Sequence, residues 1–377
     1  MTMPHAEFKA PVRAGRLSCF CPAGAPVAGE ARGIFNLAGG FAASVLSQTL
    51  VLGLLPLAGL LLAPKASMAV LPLVAMLLGA ALATFPASFL LDTFGRRASF
   101  ALGASHGLAG GCLMAWSLAT HNFYPLLLGA FWMGVAQGFS LFYRHEAAIG
   151  SSGGEKVVAI ALVFGAGSLA GLVGPGLAQA AETLAPGLYV GTALLAAAAQ
   201  FATLAFAAAT SRRLPIAAPF LEAPPPIWRA MLVPTLIAAL AWFCMNFVML
   251  AAPFSMVSCG ITAAGVMGAV AWHVVAMYAP AFMLAPLAGR INVKWIAALG
   301  LIGIVLALLV FIGAASAERF TASLVLLAVG WSLTTTATTA WLHEDAAPSR
   351  SMLAVHDSVL FIAAIGGALA AYPFAPG

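Results

Sequence analysis

At 377 residues, with 63% hydrophobic and only 7% charged residues and a mean hydropathy of +1.03, the chain lacks the polar surface needed to stay dissolved in water. At about 20 apolar residues per bilayer crossing, apolar segments use nearly the whole length, which excludes a sizeable soluble or separate catalytic domain. The net charge of +5 does not point to nucleic acid, because the basic residues stand singly between apolar runs rather than clustered on a polar face.

Residues 1–32 carry Lys9, Arg13, Arg16 and Arg32 but no continuous apolar core of the secretory kind, and they read as a disordered cytoplasmic arm. Within this arm, Cys19-Phe20-Cys21 offers two thiols to a soft cation, although a pair of free thiols is the plainer reading. Five cysteines in all make an odd count and no disulfide framework. Apolar stretches at 33–61, 67–91, 98–118, 122–143, 156–180 and 187–209 predict six crossings, a first bundle over residues 33–210. The polar stretch 211–228, with Arg212, Arg213, Glu222 and Pro224-Pro225-Pro226, neither packs nor continues a helix and predicts a cytoplasmic linker. Stretches at 229–253, 264–288, 293–314, 319–341 and 351–373 predict five more crossings, a second bundle over 229–377. The expected fold class is therefore an all-α membrane protein of two bundles and eleven crossings.

With the amino terminus in the cytoplasm, every Lys and Arg of the 16 except Lys65 and Arg319 falls on the cytoplasmic side. That bias sets the expected topology in a bacterial inner membrane. The halves also echo each other. Pro86 precedes Gly95-Arg96 at the spacing with which Pro280 precedes Gly289-Arg290, and Trp132 precedes Arg144-His145-Glu146-Ala147-Ala148 much as Trp331 precedes His343-Glu344-Asp345-Ala346-Ala347. Repeats of this kind suit a carrier that alternates access about a central site.

The run Asp92-Thr93-Phe94-Gly95-Arg96-Arg97, between the second and third expected crossings, resembles the signature loop of the major facilitator superfamily, with Ser88 at its usual first glycine and Pro286 opposite Asp92 in the second half. The resemblance implies the two-bundle fold of that superfamily and a conformational gating role for Asp92, Gly95, Arg96 and Arg97. Gly171-x-x-Gly174-Pro175-Gly176 is similar to the superfamily's glycine-proline motif, and close helix packing explains it equally well.

The seventh crossing carries Met245-x-x-x-Met249 and the eighth His273-x-x-x-Met277, each pair on one helical face. Thioether and imidazole are neutral, soft or borderline donors that suit Cu(I) and not magnesium or calcium. At about 1.5 Å per residue, Met245 and His273 fall at one depth, so that the four side chains form a descending ladder with Cys259 at its outer end as the first ligand met. Methionine is also ordinary filler in apolar cores, which weighs against the ladder. The same residues resemble the paired motifs of CcoA-like copper importers. That resemblance implies copper ion as the transported substrate, with import across the inner membrane for cytochrome oxidase assembly. The subgroup is also similar to riboflavin transporters of the RfnT kind. The alternative is thus a riboflavin or small-solute importer using Trp242, Phe243, Phe247 and Trp272 as stacking surfaces; a non-transporting membrane assembly factor is the reading from another class.

Arg144, His145, Glu146, His343, Glu344 and Asp345 read as solvated helix ends or inter-bundle salt bridges, with gating as the sharper reading. His356 and Asp357 open the last crossing, where a role in proton coupling competes with a position at the helix end. No phosphate-cradling loop with a following lysine and no serine–histidine–aspartate arrangement appears, so no enzyme activity and no permanently bound cofactor are expected. The expected partners are copper ion and the lipid bilayer, with no nucleic acid, for a monomer.

Overall fold

The computed structural model describes residues 30–149, 155–185, 187–210, 228–284, 290–344 and 348–374. Most of the expected amino-terminal arm, with Cys19 and Cys21, and nearly all of the linker lie outside the described residues, as do Pro286, Gly289 and Asp345-Ala346-Ala347. The chain forms α1 (Glu30–Leu62), α2 (Leu71–Ala119), α3 (Phe123–Ile149), α4 (Glu155–Gly165), α5 (Ser168–Leu184), α6 (Val190–Ala209), α7 (Trp228–Ser258), α8 (Ala263–Leu284), α9 (Val293–Ile312), α10 (Ala317–Leu342) and α11 (Arg350–Ala370). Among the described residues nine helical runs, α4 and α5 counting as one, are long and apolar enough to cross a membrane, and Gly268–Leu284 is a shorter apolar run. The molecule is thus a multi-pass membrane protein of helices alone among the described residues, with backbone polar groups satisfied inside each helix as lipid requires.

Two elements depart from the expected spans. The second and third crossings are not joined by a loop. They form one 49-residue run, α2, interrupted at Gly95, whose φ of 78° and ψ of 179° only glycine adopts readily. There the chain doubles back: Ser99 Oγ donates to the Ala87 carbonyl at 3.4 Å, although an uninterrupted helix would hold residues so spaced about 18 Å apart. The expected fifth crossing, by contrast, splits into α4 and α5 at Ala166-Gly167, where Gly167 N–H bonds to Phe164 O and Ala170 N–H to Gly167 O, both i to i+3. At the ends of the second half, Asn292, Ser316 and Ser349 cap α9, α10 and α11 by accepting from the N–H of Lys294, Arg319 and Met352.

Helices α1–α6 pack chiefly among themselves and α7–α11 likewise; α2 against α11, and α4 and α5 against α8, join the two groups. Because lipid offers no hydrophobic drive between helices, close van der Waals approach holds each group together. The crossing of α9 and α10 shows this approach at its limit, where a Cβ added to Gly330 would stand 2.6 Å from the Gly300 carbonyl oxygen. The substitution Gly330→Leu should therefore force these helices apart and lower stability by about 1–3 kcal/mol, read as thermal unfolding in detergent. Gly268→Ala, where nothing lies within 4 Å, should leave the transition in place.

Candidate functional site

A cavity of about 660 Å³ lies between the two groups, within the range of about 300–1,000 Å³ usual for small-molecule sites. Seven aromatic side chains line it: Tyr189, Phe254 and a cluster of five from five helices, Phe41 of α1, Phe164 of α4, Trp242 of α7, Tyr278 of α8 and Trp331 of α10. The rings of the cluster touch one another, with centroids 5.1 Å apart for Phe164 and Tyr278, 5.5 Å for Trp242 and Trp331, 5.6 Å for Phe41 and Phe164, and 5.7 Å for Phe164 and Trp331. On α7 the lining face is Trp242, Met245, Asn246, Met249, Leu250 and Pro253, a run of threes and fours that helical periodicity places on one side.

With one exception, Glu182, polar side chains in this wall are neutral among the described residues. Gln48 Nε2 donates to Ser44 Oγ and Ser140 Oγ, and Asn246 Nδ2 donates to the Trp242 carbonyl, each at 2.9 Å. The Oε1 atom of Gln137 and the indole N–H groups of Trp242 and Trp331 are buried without a hydrogen-bond partner. An orphaned polar atom costs about 1–3 kcal/mol, which a ligand carrying a matching polar edge recovers. The one charged lining side chain among the described residues is Glu182, and both its oxygens are taken: Oε2 accepts from Tyr189 N–H at 2.8 Å, and Oε1 from the N–H and hydroxyl of Thr192 at 2.7 Å. Stacking and neutral hydrogen bonding are the chemistry on offer.

Of the expected metal ligands, Met245, Met249 and Met277 line this cavity, and His273 is not among its lining residues. His273 is fully buried, and its Nδ1–H donates to the Leu324 carbonyl of α10 at 2.7 Å. On α8 the lining face is Val266, Val270, Ala271, Val274, Met277 and Tyr278; at 100° per residue His273 stands about 90° from the centre of that face. Cys259 is exposed in the turn after α7. The expected ladder thus has three of its side chains on the cavity and the imidazole turned away from it. Of the expected stacking residues only Trp242 lines the cavity: Trp272 is 63% exposed, and Phe247 packs on Phe311 and Phe374. Phe41, Phe164, Tyr278 and Gln137 escaped the sequence reading, and Trp331 entered it only as a repeat marker. For Gln137 the signal was available, since an amide in the middle of an apolar run is a functional candidate by default.

The opposite end of the molecule is closed by ionic side chains. The cavity reaches Leu60, Glu182, Tyr189 and Val257, near the C-terminal ends of α1, α5 and α7 and the start of α6, whereas the charges gather at the turn of α2, the C-terminal ends of α3 and α10 and the start of α11. Arg96 pairs with Glu146, and its second nitrogen donates to the Glu146 carbonyl at 2.8 Å. Arg350 bridges Glu146 and Asp92, at 2.7 Å to each. Arg97 is partly buried at the same turn. Deeper in, Arg144 bonds Asp357 at 2.7 Å, and His145 Nδ1 lies 3.1 Å from His343 Nε2. Of the two expectations for these helix ends, solvation holds among the described residues only for Glu344: Arg144, His145, Glu146 and His343 are each at most 3% exposed, and Asp357 is buried with them. They are the inter-group bridges instead, joining α2 and α3 to α10 and α11.

Comparison with known proteins accords with this architecture. The family described as sugar (and other) transporter matches residues 47–148. Over 313 residues the chain is 30% identical to the riboflavin transporter RfnT of Brucella anthropi, a match that covers 80% of this chain and 78% of that protein. Among solved structures, the human organic anion transporter MFSD10 superposes with a TM-score of 0.73 at 15% identity, covering 92% of this chain and 95% of its own. The proton:xylose symporter XylE, bound to 6-bromo-6-deoxy-D-glucose, gives 0.70 at 14% identity, covering 90% and 88%. The E. coli fucose:proton symporter FucP gives 0.63 at 15%, covering 90% of each chain. At such identities these structures speak for the fold alone.

Because Arg144 and Asp357 are both buried, removing either leaves an uncompensated charge. Arg144→Ala and Asp357→Ala should each cost about 3–5 kcal/mol in thermal unfolding, with the double variant losing clearly less than the two losses added together. Strict additivity would show that the pair does not hold the groups together.

Proposed function

We propose that this chain, which belongs to the major facilitator superfamily, carries riboflavin. As a secondary transporter of that superfamily it moves a solute by exposing a central site to either side in turn. The observation that carries the riboflavin reading is a cavity walled by a cluster of five aromatic rings, with a single, internally bonded carboxylate among its described lining, that holds three orphaned neutral polar atoms. A flat tricyclic flavin ring stacks on such walls. Its edge presents two carbonyls to indole N–H donors and one N–H to an amide oxygen, the same types as the free groups of Trp242, Trp331 and Gln137. The relative of 30% identity, a riboflavin transporter, supports the same solute. A phosphorylated flavin would bring its charge into a wall that offers no cation, and the cavity disfavours it.

Copper gives way to this reading. The imidazole on which the copper ladder depended is not among the cavity's lining residues: its Nδ1–H is held by the Leu324 carbonyl of α10 and its Nε2 is buried without a partner, while the three methionines serve as pliable apolar wall.

At about 1.5 Å per residue the 49 residues of α2 are long enough to cross a hydrocarbon core of about 30 Å twice. Taken as two crossings, and with Gly268–Leu284 included, α2 brings the candidate spans to eleven. The reading assigns these spans to two bundles, residues 33–210 and 229–377, with the amino terminus in the cytoplasm. The ion-pair end is then cytoplasmic and the cavity opens outward. Riboflavin entering from outside is released to the cytoplasm once the pairs across Asp92, Glu146 and Arg350 part.

Radiolabelled riboflavin should bind the purified protein, be displaced by excess riboflavin, and be displaced at least tenfold more weakly by riboflavin 5′-phosphate. Trp331→Ala and Trp242→Ala should each weaken binding about tenfold, in keeping with about 1–3 kcal/mol per stacked ring, while Trp331→Phe keeps most of it. Wild-type affinity in both alanine variants sinks the aromatic site, and copper bound stoichiometrically by the purified protein would restore the metal reading.

A further inference from the structure

The cavity wall holds more amide acceptors than a flavin ring can use. Two indole N–H groups, of Trp242 and Trp331, and one amide oxygen, of Gln137, stand without partners there. The ring edge answers them with two carbonyls and one N–H, and nothing of the ring is then left to donate. Two more amide oxygens remain. Gln48 of α1 lines the same cavity, and both hydrogens of its Nε2 are committed, to Ser44 Oγ one turn back on α1 and to Ser140 Oγ of α3, each at 2.9 Å. Ser140 Oγ in turn donates to the Gln137 carbonyl at 2.9 Å, so toward Gln48 it only accepts, and this fixes which end of the Gln48 amide meets the wall. The opposite end, Oε1, takes part in none of these bonds. With Gln48 only 7% exposed and tied to two helices, that oxygen is positioned before a solute arrives. Asn246 of α7, one turn from Trp242 toward the cavity mouth, repeats the arrangement: its Nδ2 donates to the Trp242 carbonyl, a group that only accepts, and its Oδ1 is left uncommitted.

We infer that Gln48 reads the ribityl chain of riboflavin: its Oε1 accepts a hydrogen bond from one hydroxyl of that chain, and Asn246 Oδ1 accepts from another. The inference deepens the riboflavin reading and rests on it. The chain leaves the ring from N10, on the same long edge as the C2 carbonyl, and so begins beside the polar end of the ring that matches Trp242, Trp331 and Gln137. Gln48 is tied to Gln137 through Ser140, so the acceptor for the ring N–H and the acceptor for the chain belong to adjoining parts of the wall. Hydroxyls of a polyol donate as well as accept, and each amide oxygen gains a partner from them. A tail ending in carboxylate or phosphate would set anionic oxygen against these oxygens, with no cation in the described lining to offset it. The amides therefore select by hydrogen-bond polarity where the rings select by shape. Ser44 and Ser140 are positioning residues: neither is among the lining residues, and both hold the amide that is.

The test is a ratio of two affinities in the purified chain: riboflavin against lumiflavin, the same ring with a methyl group in place of the ribityl chain. Wild type should bind riboflavin about tenfold the tighter, in keeping with two neutral hydrogen bonds. Gln48→Met, which keeps the length of the side chain and removes its acceptor, should lower that ratio about fivefold with lumiflavin affinity unchanged. Ser140→Ala, which frees one hydrogen of the Gln48 amide, should lower the ratio by a smaller factor, again at constant lumiflavin affinity. Equal wild-type affinity for the two flavins overturns the ribityl subsite and leaves the riboflavin reading standing. A ratio unchanged in both variants, or lumiflavin affinity falling in step with that for riboflavin, overturns the role of Gln48. Neither flavin binding to the wild type fells the solute reading itself. The wild-type ratio needs no substitution, so the subsite stands or falls even where Gln48→Met does not fold.

Discussion

A charge in a protein's interior has no water to turn to, so Arg144 and Asp357, each buried and 2.7 Å apart, depend on one another as a pair. The pair joins α3 to α11, and therefore one group of helices to the other. The same constraint explains what the cavity lacks. Apart from the Glu182 carboxylate, which Tyr189 and Thr192 hold, formal charges of the described interior are spent on the closed end, and the cavity between the groups is left with amides, indoles and rings. Segregation of charge from cavity gives the molecule two separable functions, locking and recognition. Either can be altered by substitution without placing an unpaired ion in the other.

The two functions share their supports. Gln137 and Arg144 lie two turns apart on α3, about 10 Å along the axis, and Thr235 and Trp242 are equally spaced on α7; Trp331 and His343 lie about 18 Å apart on α10. Each of these three helices presents one residue to the cavity and another to the closed end. A rigid helix that tilts to grip a solute must displace its own member of the lock. No separate relay is needed, because the connection is the helix itself. The break at Ala166-Gly167, just past Phe164, lies beside the same cavity and lets α4 and α5 tilt unequally.

Properties that depend on one helix at a time were legible in the sequence. Span positions came from hydropathy, the turn of α2 from Asp92-Thr93-Phe94-Gly95-Arg96-Arg97, and the single face of Met245 and Met249 from their spacing. The repeat marker Trp331 fell on a lining residue, although nothing in the spacing said why. Properties that depend on how helices rotate against one another were not legible. His273 and Met277 share a face in the broad sense of i and i+4, yet the axis of α8 is turned so that Met277 meets the cavity and His273 meets α10. Likewise, Arg144 at the end of an apolar run looks like a solvated terminus until Asp357, far along the chain, is seen to cover it. An aromatic wall assembled from five helices has no local signature at all.

Met245, Met249 and Met277 show how one residue pattern carries two physical meanings. Read for donor chemistry, three thioethers in a descending ladder with an imidazole level with Met245 suggest a soft cation. Read for shape, they are unbranched, polarizable side chains beside indole rings, able to refit around a flat solute at little cost. Donor chemistry requires the sulfurs and an imidazole to converge within coordination distance of one point, whereas shape requires only that the side chains border the same space. The cavity meets the second requirement with all three methionines, and its neighbouring imidazole stands off the lining face. The orphaned indole and amide atoms in the same wall favour the second reading, since a bare cation repays none of the indole donors and a hydrogen-bonding heterocycle repays both donors and acceptor.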